Sequence, residues 1–190
     1  MNLIPTVCDK FNGNEKFFDI YSLLLKERII FLTGEINEEV SALVISQLLY
    51  LDSISNDDVQ IYINSPGGSV TDGLAIVDCM NHIKSDVCTI CIGMCASMAS
   101  IILANGKKGK RYILENGEVM IHQPLGGVQG QESDVSIVAL RLTKIKNKLI
   151  KLLSTLTGKS EEKIKDDSDR DYYMDANEAK KYGIVDKVLK

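Results

Sequence analysis

Between Ile29 and Asn105 the chain alternates short apolar runs with longer stretches of helical periodicity, and this alternation restricts the architecture more than any other feature. Ile29-Ile30-Phe31-Leu32 reads as a short apolar strand. Asn37 can cap a helix that continues through Leu51, because its side-chain oxygen accepts from an amide that the first turn leaves unpaired. Val59-Gln60-Ile61-Tyr62-Ile63 is a second strand, Ser69 can cap a second helix to about Lys84, and Val87 to Ile92 is a third strand. A helix from about Ser97 to Ala104 follows and stops at Asn105-Gly106. The order is βαβαβα, so an α/β fold is expected.

After Gly106 the pattern changes. Tyr112-Ile113-Leu114 and Val119-Met120-Ile121-His122 read as strand pieces, and Gly126-Gly127-Val128-Gln129-Gly130-Gln131 is glycine-rich. A long helix from about Ser133 to Thr157 places Leu140, Ile145, Leu149, Leu152 and Leu156 at apolar positions, with Gly158 as its stop. A helix leaving a compact α/β body needs another surface to bury its stripe, so self-association is expected. Asp175-Ala176-Asn177-Glu178 has capping-box form, and Ile184 to Leu189 reads as a final strand. No linker rich in Pro, Gly or Ser interrupts residues 1–190, which read as a single domain.

The 190 residues are 45% apolar, enough to build a core. A net charge of −4 without long basic runs argues against nucleic acid as the principal partner. Lys107-Lys108-Gly109-Lys110-Arg111 is the one basic cluster and reads as a solvated turn. No apolar run approaches the ~20 residues that cross a bilayer, and Met1 to Lys10 carries no secretion pattern. A soluble cytoplasmic protein without a membrane partner is expected. Five cysteines occur, Cys8, Cys79, Cys88, Cys91 and Cys95. Cys88 and Cys91 are spaced as C-x-x-C, but residues three apart on a strand face opposite sides, so they read as small core residues in a reducing compartment, with no metal.

The chemistry narrows to few residues. A serine hydroxyl is a poor nucleophile unless a nearby base takes its proton, and histidine is the usual base. There are two histidines. His82 sits where an amphipathic helix ends and reads as a surface or interface residue, which leaves His122. Ser97 lies in Gly93-Met94-Cys95-Ala96-Ser97-Met98-Ala99-Ser100, where small neighbours permit a tight strand-to-helix turn with the N–H of Met98 beside the hydroxyl. In Asn64-Ser65-Pro66-Gly67-Gly68-Ser69, two glycines let the backbone approach a ligand, but neither a phosphate loop nor a dinucleotide fingerprint is present. Gly68 and Met98 are candidates for an oxyanion hole. An orienting carboxylate would come from Asp166, Asp167, Asp169, Asp171 or Asp175, among which composition does not choose.

Ile63-Asn64-Ser65-Pro66-Gly67-Gly68, Ala96-Ser97-Met98-Ala99, Met120-Ile121-His122-Gln123-Pro124-Leu125-Gly126-Gly127 and Tyr182-Gly183-Ile184-Val185-Asp186 closely resemble the proteolytic subunit of the Clp protease family. So do Phe18 to Ser22 and Leu24 to Leu32, so the resemblance runs from about Ile4 to Leu189. It implies a crotonase-like ββα spiral with a projecting strand and helix at about 123–158 and an axial segment at 1–18. It makes Ser97 the nucleophile, His122 the general base and Asp171 the orienting carboxylate of a serine endopeptidase, with oxyanion amides at Gly68 and Met98. An extended substrate would lie between Gly68-Ser69-Val70 and Leu125-Gly126-Gly127, paired through its main chain. Stacked heptameric rings, joined in part by Asp169 and Arg170, would enclose the sites. A Clp-type AAA+ unfoldase would deliver unfolded chains, consuming the ATP itself, so no cofactor is expected here. It would dock on Gln60, Tyr62, His82, Ile92, Tyr112 and Leu114.

The chain also departs from the family pattern. Gln60 and His82 stand where aromatic side chains are usual, Ala99 replaces a glycine, Leu23 replaces an arginine, and Phe11 to Lys16 differs from the usual amino-terminal run. The polar pair implies weaker docking of a generic ATPase, so that the subunit either has a matched ATPase partner or works beside a second ring subunit of the same family. The alternatives are a structural ring subunit of a mixed particle and a crotonase-type acyl-CoA enzyme. Against both stands the complete Ser97, His122 and Asp171 set.

Overall fold

The alternation between Ile29 and Asn105 is realised as three adjacent parallel strands in the computed structural model, which describes residues 4–11 and 14–190. These are β3 (Ile29–Thr33), β4 (Val59–Ser65) and β5 (Val87–Ala96), following a hairpin of β1 (Thr6–Phe11) and β2 (Asn14–Asp19) and the helix α1 (Ile20–Lys26). Between the parallel strands run α2 (Glu38–Ile54) and α3 (Val70–His82), and α4 (Met98–Ala104) follows β5. The caps read from sequence are in place. Asn37 accepts from the Val40 amide at 2.9 Å, and Ser69 accepts from the Asp72 amide at 3.4 Å. Ile30, Leu32, Ile61 and Ile63 are fully buried in one core with Leu48, Ile76 and Ile102, each such side chain contributing roughly 1.5–3 kcal/mol.

The sheet forks at β5. Its first half, Thr89 to Cys91, pairs with β6 (Arg111–Leu114), whereas its second half, Met94 to Ala96, pairs with β7 (Glu118–Ile121). The change of partner falls at Gly93, whose φ of +92° disfavours any side chain. Asn64 pins this bulge by accepting from the Met94 amide at 3.1 Å. Strand β5 therefore runs to Ala96, four residues beyond the Ile92 expected from sequence, and delivers the chain to Ser97. Cys88 registers with Gln60 while Cys91 registers with Ile63, so the two thiols lie on opposite faces of the sheet. Burial pushes the Cys88 thiol up to about 11.

The remaining elements are α5 (Glu132–Thr157), α6 (Glu161–Asp167), β8 (Tyr172–Asp175), α7 (Ala176–Tyr182) and β9 (Lys187–Leu189). Strand β8 pairs antiparallel with β7, and β9 pairs parallel with β6, so the tail returns to both branches of the fork. The 26 residues of α5 span about 39 Å. Its second half docks through Leu149, Ile150 and Leu153, while Ile137 and Leu140 in its first half are 65% and 64% exposed. This is the α/β spiral with a projecting helix that the resemblance implies. No helix among the described residues is long and apolar enough to cross a membrane.

Three expectations need correction. The run from Lys107 to Arg111 is an exposed turn only as far as Gly109: Arg111 opens β6, is 4% exposed and pairs with Asp186 at 2.6 Å, while Lys110 is half-buried and pairs, like Lys107, with Asp86. The expected final strand from Ile184 contracts to Lys187–Leu189, because Gly183 ends α7 in the left-handed region and the buried Ile184 and Val185 serve the core instead. The hairpin β1–β2 and the helix α1 had no counterpart in the sequence reading.

Candidate active site

Ser97 occupies the corner between β5 and α4, with φ 54° and ψ −122°. A positive φ at a non-glycine residue costs of order 1–3 kcal/mol and persists only where the surroundings impose it. Here the flanks are locked. The Ser97 amide donates to the Met120 carbonyl at 2.8 Å, and every residue of α4 is buried. Gly67 allows the opposite wall to close in, since a Cβ there would lie 2.7 Å from both the Ala96 carbonyl oxygen and the Ser97 Cβ. Gly67 was not singled out as a site residue from sequence, although its pairing with Gly68 was the available signal.

His122 follows directly on β7, which the second half of β5 holds in place. Its Nε2 lies 2.9 Å from the Ser97 Oγ, and its Nδ1 lies 2.9 Å from the Asp171 Oδ1. A carboxylate only accepts, so in the neutral ring Nδ1 donates to Asp171 and Nε2 is left to accept from the serine hydroxyl. The structure also separates the five candidate aspartates. Asp167 accepts from Lys163 and the Tyr182 hydroxyl, Asp175 caps α7 in a full capping box, and Asp169 lies against Gln123. Asp166 is exposed on α6. Of the five, Asp171 reaches the imidazole.

A polar bracket beside this chain of contacts was not legible in sequence. Gln123 donates through Nε2 to the Asp169 carbonyl at 2.7 Å, and Lys146 on α5 donates to the Gln123 Oε1 at 2.8 Å. The residue after His122, the helix α5 and the segment leading to Asp171 are thereby tied together. Arg170 stands exposed beside it.

The other predicted residues fall in two places. Met98 opens α4, where first-turn amides lack partners within the helix, and Gly68 lies across the corner at φ +148°. A side chain at Gly68 would strike the Ile36 backbone, to which the Ser69 amide donates at 2.8 Å. Val70 and Pro124 line both a pocket over Ser97, floored by Met98, Leu149 and Leu153, and a second cleft along Leu125, Gly126 and Gly127. Away from this groove, Gln60, Tyr62, Ile92, Tyr112 and Leu114 share one face of the sheet, since Tyr62 registers with Ile90 and Ile90 with Tyr112. Phe31 extends that row by stacking on Tyr62 at 5.7 Å, which the sequence reading missed. His82 is exposed at the end of α3 and stands outside this strand row.

No group of three or more His, Cys, Asp or Glu among the described residues is arranged to hold a metal ion. The groove, with a hydroxyl, an imidazole and a carboxylate in line, is chemically equipped for acyl transfer. A family model for Clp protease matches residues 12–190, which takes in the whole of this arrangement and all but the first residues of the chain. The protein belongs to the Clp protease family and is a peptidase subunit of a Clp-type protease.

Proposed function

We propose that the chain is a serine endopeptidase in which Ser97, His122 and Asp171 act as one unit. The observation that carries this reading is the unbroken series of 2.9 Å contacts from the Ser97 Oγ through the imidazole to Asp171. His122 Nε2 takes the Ser97 proton as Oγ attacks the peptide carbonyl carbon. The resulting oxyanion is held by the amides of Gly68 and Met98, an arrangement that supplies several kcal/mol in comparable sites. His122 then gives the proton to the leaving amine, and the C–N bond breaks to leave an ester on Ser97. Water attacks that ester with His122 again as base, releasing the acid and restoring the hydroxyl.

An extended substrate fits between Gly68-Ser69-Val70 and Leu125-Gly126-Gly127, which flank the groove and offer backbone pairing that tolerates varied side chains. Assembly into stacked rings is supported by the exposed apolar side chains Ile137 and Leu140 on the free half of α5. We further propose an ATPase partner that docks on the Tyr62 and Tyr112 face, a role for Asp169 and Arg170 between rings, and no cofactor in this subunit.

The test is labelling with a fluorophosphonate followed by mapping of the modified residue, together with a Ser97→Ala variant. Label on Ser97 and a fall of at least ~10⁴-fold in peptide hydrolysis, with native mass unchanged, are expected. Undiminished hydrolysis by a pure Ser97→Ala preparation would remove Ser97 from the reaction.

A further inference from the structure

The groove that passes Ser97 has a charge the rest of the chain does not. The protein carries a net charge of −4, yet α5 holds five cations and no acid between Arg141 and Lys151. Most of these face solvent. Arg141 is exposed too, but of the five it alone lines the cleft beside Leu125-Gly126-Gly127, together with Val138, Leu142 and Ile145. The helix approaches the facing segment closely, since a Cβ on Gly126 would lie 3.2 Å from Leu142.

Arg141 is also unclaimed. Among the described residues no carboxylate or carbonyl hydrogen-bonds or pairs with it, and it is the one ionisable side chain lining this cleft. The acids of its own helix, Glu132 and Asp134, sit in the first turn, ~10 Å or more along the axis. Lys146, the cation over the neighbouring pocket, is engaged by Gln123 and faces Asp169 at 3.9 Å. The cleft continues from Pro124, which also borders the pocket over Ser97. From Pro124 to Gly127 an extended strand rises ~10 Å, so a peptide paired along it brings a side chain two or three residues from the scissile bond to Arg141.

We propose that Arg141 is a specificity-determining residue that selects peptides bearing an acidic side chain two or three residues from the cleaved bond. This rests on the endopeptidase reading given above. The guanidinium supplies a planar pair of donors for a carboxylate at a site walled by apolar side chains, while a lysine or arginine at the same substrate position meets like charge. The pair stays partly solvated, so the selection is modest and sensitive to salt.

The experiment uses internally quenched peptides with one apolar residue at the cleaved bond and a Glu, Gln or Lys walked through three positions on either side. The readout is the Glu-to-Lys ratio of kcat/KM for the assembled protein, in which any general loss of activity cancels. At one position the wild type should favour Glu roughly fivefold, Arg141→Gln should bring the ratio near unity, and Arg141→Glu should invert it. A wild-type ratio near one at every position, or a ratio that Arg141→Glu leaves unchanged, overturns the proposal. Should both variants prove inactive, the wild type alone decides: a Glu preference that shrinks between 50 and 500 mM salt supports the role of charge, and one that does not shrink overturns it. Cleavage of the Gln peptide that depends on Ser97 but ignores substrate charge sinks this inference alone, whereas cleavage that survives Ser97→Ala sinks the endopeptidase reading.

Discussion

Ser97 stands between a strand and a helix that are both buried, whereas Asp171 lies on the tail between α6 and β8 with a side chain 55% exposed. The two ends of one hydrogen-bonded series are thus held by different forces. At Ser97 the backbone itself is fixed, through a positive φ, an amide bond to Met120 and contact with Gly67. At Asp171 the backbone ladder of β7 and β8 begins only at the next residue, Tyr172, and on the other side the position rests on side-chain ties, chiefly Gln123 and Lys146 to Asp169, with Arg111 to Asp186 farther along the tail. Close packing resists small displacements, while polar ties at a surface are individually weak and exchangeable with water. Ser97 is therefore the more firmly fixed end and the Asp171 carboxylate the more adjustable one, which is the arrangement needed if contacts between assembled subunits are to tune activity.

The sharpest challenge to this contrast is Asp171→Asn. If the exposed end is chemically essential, kcat should fall by about 10⁴-fold with stability unchanged, because the amide no longer enforces the tautomer that leaves Nε2 free to accept. A loss below tenfold in a peptidase assay would show that the tail contributes little.

Gly67→Ala probes the fixed end. Its Cβ would meet backbone and Ser97 at 2.7 Å in a conformation that disfavours side chains, so the corner must shift. Activity should drop about 10²-fold or more and stability by roughly 2–3 kcal/mol, visible in hydrolysis and in thermal unfolding. Activity lost without any change in unfolding would mean that the corner is less rigid than described.

Asp186→Asn loosens the tail at its anchor. Burial alone would raise this carboxyl, but hydrogen bonds from the Arg111 guanidinium and amide and from the Gly109 amide outweigh it and hold it below the usual carboxylate range. Such a group contributes stability that is complete above its unfolded value of about 3.9 and is lost as pH falls through the lower folded value. The substitution should cost about 2 kcal/mol near neutrality and flatten the fall in stability below about pH 4, measured by denaturant unfolding across pH. An unchanged acid slope would place that stability elsewhere.

The smallest effect is expected for Lys146→Met, which removes one arm of the bracket at a site 26% exposed. Loss of about 1 kcal/mol in alignment corresponds to roughly a fivefold fall in kcat, with KM little changed and recovery in Lys146→Arg. A change confined to KM would make Lys146 a contact for substrate and not a tie for the tail.

The sequence reading recovered most elements where the signal was local. Asn37, Ser69 and Asp175 cap helices by bonds to amides two or three residues away, and Gly158 ends α5 in the left-handed region, so each end is written in adjacent residues. The hairpin β1–β2 escaped because Lys10, Asn14, Glu15 and Lys16 break the apolar alternation by which strands are recognised. Arg111 was misread for a related reason. A basic run looks solvated until Asp186, 75 residues later, is folded against it.

By itself the sequence determined the βαβαβα order, the tight corner at Ser97 and the restriction of the base to His122, since these follow from periodicity, from small residues beside the serine and from the presence of two histidines. Composition left five aspartates open and only the family resemblance pointed to Asp171; tertiary structure is what brings that carboxylate to the imidazole, and it alone decided where β5 changes partner and which cation faces the groove. The reason is range. A cap or a turn closes within a few residues and is encoded by its neighbours, but the bond from His122 to Asp171 joins positions 49 apart, and only packing of the intervening helices and strands brings them together.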